Sequence, residues 1–424
     1  MQLDMERIKR QMTERRRDFH RYPESGWAEF RTTAKIAEVL YNLGYKVRFG
    51  GEVIREEDVM GKDIDAGAEK LRAIKQGALE DIVAAIGPYT GLCAEFDTGR
   101  PGPVTAIRVD IDCVDTTESC DEDHLPFKEG FASVNPGWAH ACGHDGHMAV
   151  GLALAELLKA EEELCGKVLF VFQPAEEGVR GGYAMARSGI LEGVHYFLAF
   201  HLGLNNPTGT VFGGMNGFLC TTKIDADFRG VGAHAGGEPN KGKNALLAAA
   251  SAALNLHAIA PHSDGVTRVN VGVLNAGEGR NVVAQKAHLK IETRGATDAL
   301  SSYVYDRAMS VLRGAAQMYD VGLMITRQGE ANSANSSSDL ASSVASMATL
   351  VRSVGKVSQF GRMSGSDDAC WMMKYVQDRG GKAAYIGIGA DTAAGHHSSR
   401  FDFDESAMPI ALEVLRRTVK FVNR

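Results

Sequence analysis

At 424 residues, with 44% hydrophobic and 23% charged side chains, the chain has a globular composition and is too long for one core, so two domains are expected. A formal net charge of −7 leaves no basic surplus to neutralise phosphates, which argues against a nucleic-acid binder. No apolar run is long enough to span a bilayer, the charged start Met1-Gln-Leu-Asp-Met-Glu-Arg7 has no signal-peptide core, and seven irregularly spaced cysteines suit reduced thiols, so a cytoplasmic protein without membrane contact is expected.

The pattern from Arg7 to Tyr22 predicts an amphipathic helix ending at Pro23. A second helix is expected from Trp27 to Leu43, closed by Gly44 and leading into a strand at Lys46–Phe49. Residues 50–100 are polar and acidic and read as a surface insertion with a helix around Ala68–Ala85. Pro103–Asp112 is an apolar run that ends in charge. Buried parallel strands read this way, and their carboxyl ends are where α/β proteins place chemistry.

An acidic loop follows, then Trp138-Ala-His-Ala-Cys-Gly-His-Asp-Gly-His147 ahead of an apolar helix at Met148–Leu158. Lys167–Pro174 is a second buried strand and delivers Glu176 and Glu177. His195–Gly203 is a third and carries His201 near its end. Strands and helices alternating, with polar residues gathered at one edge, predict a doubly wound, mostly parallel α/β sheet.

From about 220 the pattern changes. Strands at Thr221–Gly230, Arg268–Leu274, Gln285–Thr293 and Gly322–Arg327 alternate with helices at Asn244–Ile259 and Ala299–Tyr319. The order β-α-β-β-α-β is that of a ferredoxin-like α+β unit, which can be inserted whole. We therefore expect an inserted domain at 220–331 within a catalytic domain formed by 1–219 and 332–424. Residues 331–343 read as the linker back. A strand at Lys382–Gly389 leads to His396 and His397, and a helix at Ala407–Val422 closes the chain.

His, Cys and carboxylate side chains bind divalent transition metals, and the cluster at 138–147 makes Cys142 and His144 two expected ligands. Three other segments end in further candidates: Glu176-Glu177, His201 and His396-His397. Each has a plainer reading: a helix start, a satisfied core histidine, a surface loop. Their convergence on one sheet edge favours a single metal site. Of two adjacent glutamates, one can hold metal while the other takes a proton from water and later returns it to a leaving amine. Spacing alone does not say which.

His140-Ala-Cys-Gly-His-Asp145, Gln173-Pro-Ala-Glu-Glu-Gly178, Gly230-Val-Gly-Ala-His-Ala235 and the late Gly395-His-His397 resemble the dinuclear metallo-aminoacylase and carboxypeptidase G superfamily, in its cysteine-ligand amidohydrolase subgroup. Arg16-Arg-Asp-Phe-His20, Asp97–Pro103, His257–Ser263, Glu292-Thr-Arg-Gly295 and Phe401–Glu405 narrow the resemblance to the branch that hydrolyses p-aminobenzoyl-glutamate. The likeness extends over nearly the whole chain.

The resemblance implies two divalent metals, manganese ahead of zinc, held by Cys142, His144, Glu177, His201 and His397. It makes Glu176 the general base and Asp112 an acidic group supporting the metals. His234, in the inserted lid and dimerisation domain, would steady the oxyanion across a dimer interface. Arg294, with Asn281 nearby, would bind the substrate carboxylate. The implied activity is hydrolysis of a small N-acyl amino acid by a homodimer, or by a heterodimer with a homologous second subunit. An aminoacylase or dipeptidase of other specificity, or a non-catalytic partner protein, are the alternatives. Where the family has Asp-Ala-Leu-Pro, this chain has Asp112-Cys-Val-Asp115, which alters the wall beside the metals.

Overall fold

The computed structural model describes residues 5–363 and 365–424. The residues before Met5, part of the stretch read above for a signal peptide, lie outside the described residues. No helix among the described residues is long and apolar enough to cross a membrane.

Twelve strands are found among the described residues, in the order β1 (Lys46–Phe49), β2 (Leu92–Asp97), β3 (Val104–Asp110), β4 (Lys167–Gln173), β5 (Tyr196–Leu202), β6 (Thr210–Asn216), β7 (Cys220–Arg229), β8 (Thr267–Ala276), β9 (Lys286–Gly295), β10 (Gly322–Ala331), β11 (Lys356–Arg362) and β12 (Lys382–Ile388). Two compact units divide them. One contains the chain up to Asn216, Ala334–Met363 and Asp367–Arg424. The other contains Gly217–Ser333 with Gly365 and Ser366.

The first unit is built on an eight-stranded sheet of order β1-β2-β4-β3-β5-β12-β6-β11. Strands β4, β3, β5 and β12 run parallel, with Asp110 opposite Gln173 and His201 opposite Gly387, so their carboxyl ends share one edge. These strands are buried almost throughout, which explains their continuous apolar sequence. Helix His144–Lys159 packs on the sheet with 14 of its 16 residues buried, so it is a core helix rather than a surface amphipath.

The second unit is an antiparallel sheet of order β10-β7-β9-β8, with helices Ala245–His257 and Asp298–Met318 packed on it. Its strands carry buried residues at alternate positions (Ile224, Ala226 and Phe228 on β7; Leu289 and Ile291 on β9), as a sheet covered on one face requires.

Several expectations need correction. The stretch 50–100 is not all surface insertion: β2 occupies its end and lies inside the large sheet. Its helix is two, Ala66–Lys75 and Glu80–Ala85, broken where Gly77 adopts φ +89°. The second helix starts at Phe30 rather than Trp27, because Trp27 itself has φ +71°. The linker 331–343 already contains the start of a helix, Ser338–Ala348. The helix behind the metal motif begins at His144, so the motif occupies its first turn.

Candidate metal centre

Gly143 adopts φ +88° directly before that helix, so the chain turns sharply between Cys142 and His144. Both side chains are buried. His144 Nδ1 lies 2.8 Å from the carbonyl oxygen of Asp112, which makes it the donor and leaves Nε2 free as a ligand atom. His201 is held the same way, with Nδ1 2.7 Å from the Leu202 carbonyl, and turns Nε2 to within 3.5 Å of Cys142 Sγ.

Glu176 and Glu177 follow β4 on a tight elbow. Ala175 (φ +52°) and Val179 (φ +58°) are both left-handed, a conformation costing roughly 1–2 kcal/mol for a residue with a Cβ. Surrounding bonds hold the elbow in place. The Glu177 N–H donates to Asp112 Oδ2 at 2.8 Å, and Glu177 Oε1 lies 3.3 Å from His397 Nε2. His396, directly before it, places Nδ1 3.6 Å from Cys142 Sγ while its Nε2 accepts from the Leu204 N–H.

Candidate ligand atoms gather within 4.8 Å of one another in overlapping groups: Cys142, His144 and His201; Cys142, Glu177 and His397; His144, Glu176 and Glu177. The structure thus brings together every expected ligand, the expected base, and Asp112 beside them. Asp112 Oδ1, His144 Nε2 and Glu177 Oε1 are buried without a hydrogen bond, the last having only His397 Nε2 at ion-pair distance. An unmet buried polar atom costs about 1–3 kcal/mol, so three in one cluster mark atoms awaiting another group. Thiolate, imidazole and carboxylate together fit divalent metal.

The electrostatics agree. Burial opposes ionisation of Cys142, yet His201 and the bonds from His144, His201 and His396 hold its thiol well below the usual range, in the thiolate form that binds metal. Burial, then Asp367, Glu177 and Asp368, push the Glu176 carboxyl well above its ordinary value. Burial and Cys142 raise Glu177.

His234, Asn281 and Arg294 belong to the second unit. His234 is exposed, and its Nδ1 accepts from the N–H groups of Gly236 and Gly237 at 3.1 and 2.9 Å, so the ring proton sits on Nε2. Asn281 is exposed. Arg294 is half-buried; its guanidinium bonds Glu292 and reaches Ser366 Oγ at 3.4 Å. Cys113 is buried, and burial then Asp112 push its thiol far up, so it packs as a neutral side chain.

Other site residues were not expected from the sequence. Asp110 bonds His147 Nδ1 at 2.5 Å and Arg108 at 2.5 Å, and lies 3.7 Å from His144 Nε2. Asp367 and Asp368 stand beside Glu176 and share Arg108 as counter-ion. Tyr385 donates to Asp367 at 2.5 Å. Alternation along Arg108-Val-Asp110-Ile-Asp112 could have indicated Asp110; nothing local distinguishes Asp367-Asp368.

The model of peptidase family M20/M25/M40 matches residues 106–420. The chain is 50% identical over 408 residues to a p-aminobenzoyl-glutamate hydrolase subunit of Escherichia coli K12, covering 95% of this chain and 94% of that one. It is 49% identical over 413 residues to indole-3-acetyl-aspartic acid hydrolase of Enterobacter agglomerans, covering 96% and 95%. A crystal structure of the aminobenzoyl-glutamate utilization protein from Klebsiella pneumoniae superposes with a TM-score of 0.85 at 41% identity, covering 99% and 98%.

Proposed function

The chain belongs to peptidase family M20/M25/M40 and is a hydrolytic enzyme, and from that premise we propose that it cleaves the amide between an aromatic acyl group and an acidic amino acid. The first substrate is p-aminobenzoyl-glutamate. Water adds across the C–N bond, giving p-aminobenzoate and glutamate. One observation carries the chemistry: His144 Nε2 and Glu177 Oε1, two buried candidate ligand atoms without a hydrogen bond, stand beside a thiolate, with Glu176 at their rim. The similarity to hydrolases named for glutamate and aspartate amides supports the substrate class.

In this reading Cys142, His144, Glu177, His201 and His397 hold two divalent ions, and Asp112 orients the ligands around them. The thiolate and imidazoles suit zinc and the carboxylate tolerates manganese; the family resemblance puts manganese first and zinc second. Such ions polarise a carbonyl and lower the pKa of water to about 7. Glu176 takes a proton from the attacking water on a carboxylate oxygen and passes it to the departing amine nitrogen. Its raised pKa matches that task. His234, with its proton on Nε2, donates to the developing oxyanion, reaching a partner's site in a homodimer or a heterodimer with a homologous second subunit. Arg294 exchanges part of its contact with Glu292 for a substrate carboxylate, with Asn281 alongside. The free cysteines suit a reducing cytoplasm.

Indole-3-acetyl-aspartate is the second substrate to weigh, because a relative named for it is nearly as similar. The test is to purify the chain alone, reconstitute it with manganese or zinc, and assay p-aminobenzoyl-glutamate, indole-3-acetyl-aspartate and N-acetylated neutral amino acids. Fastest turnover of p-aminobenzoyl-glutamate is expected. Turnover confined to neutral acyl amino acids overturns the substrate reading. A chain that takes up no metal and has no activity becomes a non-catalytic partner.

A further inference from the structure

The elbow carrying Glu176 and Glu177 is gripped from behind by a carboxylate outside the metal cluster. Glu29, fully buried, accepts the Ala175 N–H on Oε1 at 2.7 Å and the Thr90 hydroxyl on Oε2 at 2.5 Å. Asp112 takes the Glu177 N–H. Two buried carboxylates therefore clamp alternate amides of one strained turn, with Glu176 between them.

Residues 50–91 touch this clamp and its flanks. Thr90 belongs to that stretch, and a side chain on Gly91 would lie 2.5 Å from Pro174, directly before the elbow. Arg180 bonds both the Glu177 carbonyl and the Gly61 carbonyl, at 3.0 and 3.1 Å. Arg55 donates its N–H to the Ala184 carbonyl, and Arg187 pairs with Asp58 at 3.0 Å. The turn before Glu29 is equally close: a Cβ on Gly26 would lie 2.9 Å from Ala175 Cα.

We propose that Glu29 is a positioning residue for the hydrolytic reaction: through Ala175 and Thr90 it locks the elbow that aims Glu176, and residues 50–91 serve as the brace behind it. The assignment rests on the reading of Glu176 as base. A left-handed Ala175 persists only where its neighbours hold it, and Glu29 supplies the acceptor for its amide. Burial, then Asp112, push the Glu29 carboxyl up to about 8. Glutamine has the same shape and keeps an Oε1 acceptor for the Ala175 N–H, while its NH2 faces Thr90, whose hydroxyl then accepts instead of donating.

The test compares E29A, E29Q and T90V in the full chain. In the metal-free protein, hydrogen–deuterium exchange across 174–181 should accelerate at least tenfold in E29A and stay near wild type in E29Q. In the manganese-loaded protein, E29A should keep full metal content and lose about 30-fold or more in kcat, with KM changed less than about threefold. E29Q should restore kcat to within about threefold. A folded, metal-loaded E29A with wild-type kcat and exchange overturns the proposal, as does an E29Q as impaired as E29A. Should E29A fail to fold, T90V decides alone: several-fold faster exchange at the elbow is expected, and unchanged exchange and kcat refute. A wild-type chain that hydrolyses none of the panel amides defeats the functional reading instead, while the exchange comparison still tests the clamp.

Discussion

His20 offers a quantitative handle on the architecture behind the metal centre. Its ring is buried, with Nδ1 2.8 Å from Asp145 and Nε2 2.7 Å from Glu118. Burial works against its charge, as does Arg16, but the bonds to Asp145 and Glu118 prevail and raise its pKa from 6.5 to about 9. The folded pKa is the higher one, so the stabilisation is fully present below about 6.5, declines as pH rises, and is gone above about 9. A span of about 2.5 pH units at about 1.4 kcal/mol per unit gives about 3.5 kcal/mol. Glu118 and Asp145 are held below their usual range, outside this window. The assay is urea unfolding of the metal-free chain and of H20Q from pH 6 to 9.5, read by tryptophan fluorescence. Trp27, Trp138 and Trp371 all lie in the first unit, so the signal reports that unit alone. Wild type should lose about 3.5 kcal/mol relative to H20Q across the window. Parallel curves would refute the reasoning and leave His20 neutral in the folded state.

Two further outcomes probe the chemistry. E176Q should bind manganese or zinc with wild-type stoichiometry while kcat falls by about 10³, within the range for removing a general base; retained turnover removes Glu176 from that role. R294A should raise KM for p-aminobenzoyl-glutamate by about tenfold or more and leave kcat within a few-fold. An unchanged KM would return Arg294 to its Glu292 pairing as a purely structural partner.

The catalytic edge was legible because its strands are buried on both faces. Val104–Asp110, Lys167–Gln173 and Tyr196–Leu202 can only be read as apolar runs ending in chemistry. Strand β6 lacks that signature because its middle is Gly213-Gly214, which weakens strand propensity. The structure shows why glycine is needed there: a Cβ on Gly213 would meet the Ala341 carbonyl oxygen at 2.1 Å, where a helix crosses the strand. Strand β11 lies at the sheet edge and is largely exposed, so its sequence lacks the apolar signature. In the candidate site, the histidines, Cys142 and the paired glutamates stand out in the sequence by residue type. Glu29, Asp110, Asp367 and Asp368 do not, because a carboxylate that supports another residue has the same sequence appearance as a solvated one. Only its burial and partners reveal it.

The same buried network has a consequence for the chain during synthesis. Arg16 on the first helix pairs with Asp145 at 2.8 Å, and its remaining nitrogens bond Asp402 and Glu405. Those two residues, and His397 just before them, emerge only after the entire second unit has been made. Strand β12, which fills the gap between β5 and β6, is equally late. A nascent chain therefore has Cys142, His144, Glu177 and His201 through most of translation without His396 and His397, and contacts of such long sequence separation close slowly. A chain truncated before Asp402 leaves Arg16 and Asp145 buried without the Asp402 and Glu405 carboxylates, so it should fail to fold into a partial enzyme.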